Sequence, residues 1–233
     1  MPLNERQLPE GYTRYMALST VESITAFLSP NGDSDDKSIR QHVVSLKGRY
    51  DEPWRHYHNF EHPQELFDTI EHYKDQIEHP RILGWVALYH DAVYEPTADH
   101  KINEERSAQL AESMLPTVLG TADVDKVAAY IRATAEHQIS QNDSDLNFFL
   151  DADLTILGAA PDRYDRYAAA VRAEYAHVPD EFYVPARIGI LGGLAARAGN
   201  GTLYGIDNLR EKYELQAHEN IAREKAQLTS LPN

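Results

Sequence analysis

The chain has 233 residues, with 37 acidic against 22 basic side chains, a formal charge of −15, a 42% apolar fraction and no cysteine. That length and apolar content suit one globular domain with a sizeable core. The charge disfavours a nucleic-acid polymer as partner, and the lack of thiols excludes a disulfide scaffold, a thiolate zinc site and a cysteine nucleophile. A small phosphorylated ligand stays compatible if arginines converge locally or a metal supplies positive charge. The stretch MPLNERQLPEGYTRYM carries no apolar h-region, and no run approaches a membrane span. A cytoplasmic protein without membrane contact is therefore expected.

The dominant period is helical and no strand pair is evident, which predicts an all-α fold. Residues 17–28 and 36–48 carry apolar residues at three- and four-residue intervals, separated by Pro30, Asn31, Gly32 and a polar run. These helices are expected to pack on a core spanning about 50–226. Pro63 sits just inside the helix EHPQELFDTIEHYKDQI, in the first turn where proline is tolerated. RILGWVALYHDAVY (81–94) reads as a buried helix ending in polar chemistry. KINEERSAQLAESML (101–115) and ADVDKVAAYIRATAEHQ (122–138) are amphipathic. FFLDADLTILG (148–158) is short and apolar, and its helical neighbours favour helix. Helices over 162–177, 181–197 and 205–228 complete a single domain with loops at 30–36, 95–100 and 139–146. The apolar helix 181–197 offers a face for a homodimer, and the glycines of GILGGLAARAGNG read as close helix packing.

Three segments can carry chemistry. RHYHNFEH brings His56, His58 and His62 together, and residues four apart share a helix face. The plainer reading is a solvated helix start. His90-Asp91 ends the apolar run ILGWVALY, and a buried Asp beside a buried His is costly unless a charge such as a divalent cation compensates it. Asp151 and Asp153 stand inside FFLDADLTILG, where helix capping explains one acid more readily than two. Together His62, His90, Asp91 and Asp151 form a His/His/Asp/Asp set. Imidazole and carboxylate without thiolate suit manganese, iron, cobalt, nickel or zinc. Such an ion can generate a hydroxide nucleophile near neutral pH.

The order H…HD…D resembles the HD superfamily of metal-dependent phosphohydrolases. YHNFEH, ALYHDAVY, NEERSA, ATAEH, LDADLTILG, VRAEYAHV and ENIAREK are similar to a predicted HD phosphohydrolase group of bacteria, over about residues 50–226. The resemblance implies an HD-type helical bundle with His62, His90, Asp91 and Asp151 as ligands. YHNxxH is also similar to the start of the cyclic-nucleotide phosphodiesterase metal site, which makes His58 a proton donor, with an orienting hydrogen bond as the alternative role. Family members with two tightly held metals insert two more histidines, and only His100 and His137 lie in that interval here. One firmly bound metal is therefore expected, with His137 and Asp153 as residues of a second ion or of the surrounding support, and with a helix cap or an exchange of roles with Asp151 as the alternatives for Asp153. In related nucleotidases a Glu after the HD pair works near the attacking water, which points to Glu104 or Glu105. For phosphate, arginine's planar fork fits best, and Arg55, Lys101, Arg106, Arg132, Arg172 and Arg187 are the candidates. Tyr57, Tyr89 and Tyr94 flank the proposed site. The expected reaction is hydrolysis of a phosphoester or phosphoanhydride in a small molecule, most plausibly a nucleotide. The rivals are an HD-fold di-iron oxygenase and a non-catalytic nucleotide or metal sensor.

Overall fold

The computed structural model describes residues 20–98 and 100–230. Among the described residues there are ten α-helices and no strand, as the helical period predicts. Thr20 and Ser23 form a capping box at α1 (Val21–Leu28), each backbone N–H donating to the other's hydroxyl at 3.1 and 3.2 Å. Residues 17–19 of the first expected helix lie outside the described residues. At α2 (Lys37–Tyr50) the Asp36 carboxylate accepts from the N–H groups of Ser38 and Ile39, both at 3.1 Å. Then come α3 (Glu61–Tyr73), with Pro63 in its first turn, and α4 (Pro80–Tyr89). The entry to α4 is capped from a distance. Asp145 of α7 (Ser144–Asp153) accepts from the N–H groups of Glu78 and His79 at 2.9 and 2.8 Å.

The remaining helices are α5 (His100–Met114), α6 (Thr121–Ala133), α8 (Pro161–Glu174), α9 (Asp180–Leu194) and α10 (Asp207–Thr229). Several helices end earlier than the sequence suggests, α3 at Tyr73, α8 at Glu174 and α9 at Leu194 among them, and three of the differences bear on the site. The helix expected over 81–94 stops at Tyr89, leaving His90 to Tyr94 in a turn, and that over 122–138 stops at Ala133. FFLDADLTILG divides into the end of α7 and a separate 3-10 turn, Thr155–Gly158.

Helix α4 is the hub. Every residue from Ile82 to Tyr89 is buried, and α4 packs against α1, α2, α3, α5, α6 and α7. A helix apolar all round can only sit in a core. The consequence for function is positional: the residues that follow Tyr89 emerge at the centre of the molecule. One continuous apolar core runs from Ile24 to Ile221. No helix among the described residues is long and apolar enough to cross a membrane.

The closing helix α10 rests on the Thr155–Gly158 turn at very close range. A Cβ on Gly158 would lie 2.6 Å from the Tyr213 carbonyl oxygen and 2.9 Å from its Cα, so backbone would have to move. Gly193 on α9 has nothing within 4 Å of that position. Gly158→Ala is therefore expected to cost about 1–3 kcal/mol, with roughly 2–4 °C of Tm lost per kcal/mol in a chain of this size. Gly193→Ala should leave Tm unchanged or raise it slightly. Thermal melts of the two variants against wild type check the packing.

Candidate metal centre

His62 opens the first turn of α3, His90 caps the C-terminus of α4 with Asp91 next to it, and Asp153 is the last residue of α7. Their side chains converge. His62 Nε2 lies 3.0 Å from His90 Nε2, 3.0 Å from Asp153 Oδ1 and 3.6 Å from Asp91 Oδ2. His90 Nε2 lies 3.1 Å from Asp91 Oδ2 and 3.6 Å from Asp153 Oδ1. Ligands about 2.1 Å from a common ion stand about 3.0 Å apart at right angles and about 3.4 Å apart at tetrahedral angles. Three of the five edges, at 3.0–3.1 Å, fall in that range and the other two, at 3.6 Å, are slightly longer, so the donor types and spacing suit a divalent transition metal after a small adjustment. His62, His90 and Asp153 form a compact three-donor group on their own.

The supports are also those a metal site needs. His90 Nδ1 lies 3.0 Å from the Ala87 carbonyl oxygen, which can only accept. Nδ1 therefore carries a proton in either ionisation state, and Nε2 is the nitrogen that faces the centre, available to an ion once its own proton has left. His62 Nδ1 is 3.3 Å from the Tyr57 hydroxyl. Burial opposes charge on His90, but Asp91 and Asp153 outweigh it and push the imidazole pKa up to about 9. Burial likewise opposes ionisation of the two acids, yet neighbouring imidazoles hold Asp91 and Asp153 well below the usual carboxylate range.

The structure brings Asp153, not Asp151, to this centre, which corrects the ligand assigned from the sequence. Successive helical residues turn by about 100°, so two acids two apart in α7 face nearly opposite ways. Asp151 is fully buried on the far side. It pairs with Arg197 and accepts from the Ile206 N–H at 2.6 Å. Arg197 also donates to the carbonyl oxygen of His137 at 3.0 Å. His137 follows α6 in the left-handed region, φ 50°, and its Nε2 meets Asp153 Oδ2 at 2.8 Å. One oxygen of Asp153 thus faces His62 and His90 while the other is fixed by His137. The side chain of His100 lies outside the described residues.

His58 lines the same cavity, about 140 Å³ in volume, together with Tyr57, Tyr167, Glu104, Thr134 and the four donors. Its Nδ1 is 2.7 Å from Glu174 Oε2, and its ring stacks on Tyr94 with centroids 4.4 Å apart. Glu174 is a buried hub. Its Oε1 accepts from the backbone N–H groups of His56, Tyr57 and His58 at 2.7–2.9 Å, and its Oε2 from the Tyr94 hydroxyl at 2.8 Å. Burial opposes charge on His58, but the Glu174 carboxylate prevails and raises its pKa. Despite its own burial, Glu174 is drawn down to about 2 by His58 and the three backbone donors. His56 contributes only its backbone N–H to Glu174, and residue 56 is exposed.

Of the two neighbouring glutamates, Glu104 faces the cavity. Its Oε2 is buried and has no hydrogen-bond partner among the described residues, and burial with the nearby Asp91 charge lifts its pKa to about 7. Glu105 turns away into a forked ion pair with Arg132 at 2.7 and 2.9 Å, so it is corrected from a catalytic candidate to a surface anchor.

The phosphate-binding candidates need the same correction, because none of them lines the metal cavity. Arg55 is buried and donates to the carbonyl oxygens of His58, Asp91 and Ala92 and to Glu52, which staples the histidine turn to the residues after α4. Arg172 caps the end of α8 through the carbonyls of Tyr175 and Val178 and through Asp180. Arg187 is locked onto Glu224 at 2.8 and 3.3 Å. Arg106 pairs with Glu95 on the surface. Lys101, paired with Glu136, lines a neighbouring cavity of about 410 Å³ that shares Glu104 as a wall. An arginine in apolar surroundings must bring an acceptor with it, and these do. Tyr89 also points elsewhere, to His42 at 2.7 Å.

Sequence reasoning missed Glu174. Its signal was present: Tyr164, Tyr167, Val171 and Glu174 fall on one buried face of α8, so an acid occupies an otherwise apolar stripe. Comparison with protein-family models, with curated proteins and with solved structures finds no match.

The two acids of α7 separate experimentally. Asp153→Asn should lose the metal, read by elemental analysis of purified protein. Asp151→Asn should keep the metal but lower Tm sharply, because breaking a buried ion pair costs about 3–5 kcal/mol.

Proposed function

We propose that this protein is an HD-type, metal-dependent phosphohydrolase acting on a small phosphorylated molecule, most plausibly a nucleotide. The observation that carries the reading is the meeting of a four-donor His/His/Asp/Asp cluster and a His58–Glu174 pair in one cavity. A divalent ion held by His62, His90, Asp91 and Asp153 would make water nucleophilic near neutral pH and draw charge from a phosphoryl group.

The side chains supply the rest. Glu174 accepts from His58 Nδ1, so a protonated His58 presents its Nε2–H to the cavity and can hand that proton to a departing oxygen. Glu104, with a pKa lifted to about 7, suits a base that takes a proton from the attacking water. Among the described residues no arginine or lysine lines the 140 Å³ cavity, so the charge opposing phosphate would come from the ion and from His58. The larger chamber beyond Glu104, lined by Lys101 and Arg132, offers room for the part of the substrate that does not react.

A phosphate-release panel of nucleotides and simple phosphoesters, run with manganese, iron, cobalt, nickel and zinc in turn, should show metal-dependent turnover. His58→Ala should keep the metal and lower kcat about 10²–10⁴-fold. Glu174→Gln should also keep the metal. Because Glu174 raises the His58 pKa, and because the acid acts while protonated, activity falls as pH rises through that pKa. In Glu174→Gln this basic limb should move to lower pH. Loss of metal from His58→Ala, or an unmoved limb in Glu174→Gln, would contradict the assignment.

A further inference from the structure

A third cavity lies behind the wall that carries His58. It measures about 560 Å³, within the range of roughly 300–1,000 Å³ usual for small-molecule sites. The end of α2, the 92–97 turn and the residues after α8 enclose it. Trp54 stands at its edge, 45% exposed, with its indole N–H held 3.1 Å from the Tyr94 carbonyl oxygen. The hydrogen bond fixes an aromatic ring that is still largely open to a ligand.

Arg49 lines the same cavity and is half-buried. Among the described residues its guanidinium makes no ion pair or hydrogen bond. Most arginines of the chain are paired, Arg40, Arg55, Arg106, Arg132 and Arg163 each with a carboxylate; Arg49 shares its lack of a partner with Arg81 and Arg166, but it alone of these three lines this cavity. The cavity's own acids are already engaged: Glu52 by Arg55, Glu95 by Arg106, and Glu174 by His58 and Tyr94. A planar cation without a partner beside a fixed, open aromatic ring matches a ligand that is both flat and negatively charged.

From this juxtaposition we propose that the cavity is a second ligand site that binds a small aromatic anion, its ring against Trp54 and its phosphate or carboxylate on Arg49. The site is separate from the metal centre. Tyr94 and Glu174 form the partition, one face holding His58 and the other bounding this cavity. The inference does not depend on the hydrolase reading, because neither Arg49 nor Trp54 touches the metal cavity.

The test is a fluorescence titration of the full-length protein with adenosine 5′-monophosphate, adenosine and benzoate. The chain's other tryptophan, Trp85, is fully buried, so quenching reports on Trp54. At least one of the two anions should quench saturably, and adenosine should bind at least tenfold more weakly than its monophosphate. Saturation by the monophosphate alone identifies a nucleotide site; saturation by benzoate as well identifies a general aromatic-anion site. Arg49→Gln should weaken the anion at least tenfold, about 1.4 kcal/mol, and leave adenosine unaffected. His90→Ala, which disables the metal centre, should bind the anion as wild type does. The proposal is overturned if neither anion saturates, if Arg49→Gln binds equally well, or if binding disappears in His90→Ala.

Discussion

Two imidazoles 3.0 Å apart each stand within 3.0–3.6 Å of two carboxylates at the buried junction of three helix ends, and the surrounding architecture serves that meeting. Two ionised acids in a low-dielectric interior repel each other and lose their hydration, so the arrangement needs positive charge at its centre. Helix α4, apolar and buried from Ile82 to Tyr89, delivers His90 and Asp91 there, because burying that stretch leaves its C-terminus nowhere else to emerge. Asp145 fixes the entry of the same helix from α7, whose last residue is Asp153. Arg55 then ties the His58 turn to the Asp91 backbone. Each of these supports is a buried polar group with its acceptors satisfied, which holds the cluster's geometry firm.

Around the cluster the protonation states divide in a way that suits acid–base work. Glu174 raises the pKa of His58, favouring its protonated form, while burial lifts Glu104 to about 7. Environments that push neighbouring titratable groups in different directions are how one cavity can hold both a proton donor and a proton acceptor. The same partition residues, Tyr94 and Glu174, also bound the cavity of Arg49 and Trp54, so a ligand there would press on the support of His58.

Much of this was legible in the sequence, and the failures have identifiable causes. The helical period located the elements, and the break after ILGWVALY marked His90-Asp91 as buried polar chemistry. The choice between Asp151 and Asp153 depends on which face of α7 meets α3 and α4, and a short apolar helix with acids on both faces does not disclose that. Glu174 acts on residues 116–118 positions away, a separation no local pattern reveals. Arg172 and Arg187 stand in helices otherwise rich in apolar and small residues, and such a position marks a cation with its own partner as readily as a ligand site. Glu104 and Glu105 differ by about 100° on α5, enough to send one into the cavity and the other to Arg132.

The central claim is that the His62, His90, Asp91 and Asp153 donors converge because they hold one cation. Crystals grown with manganese and measured near its absorption edge test it most directly. The account predicts a single strong anomalous peak about 2.0–2.3 Å from both Nε2 atoms and from an oxygen of each of Asp91 and Asp153. A map with no peak there, or a peak bound by Asp151 in place of Asp153, would contradict it.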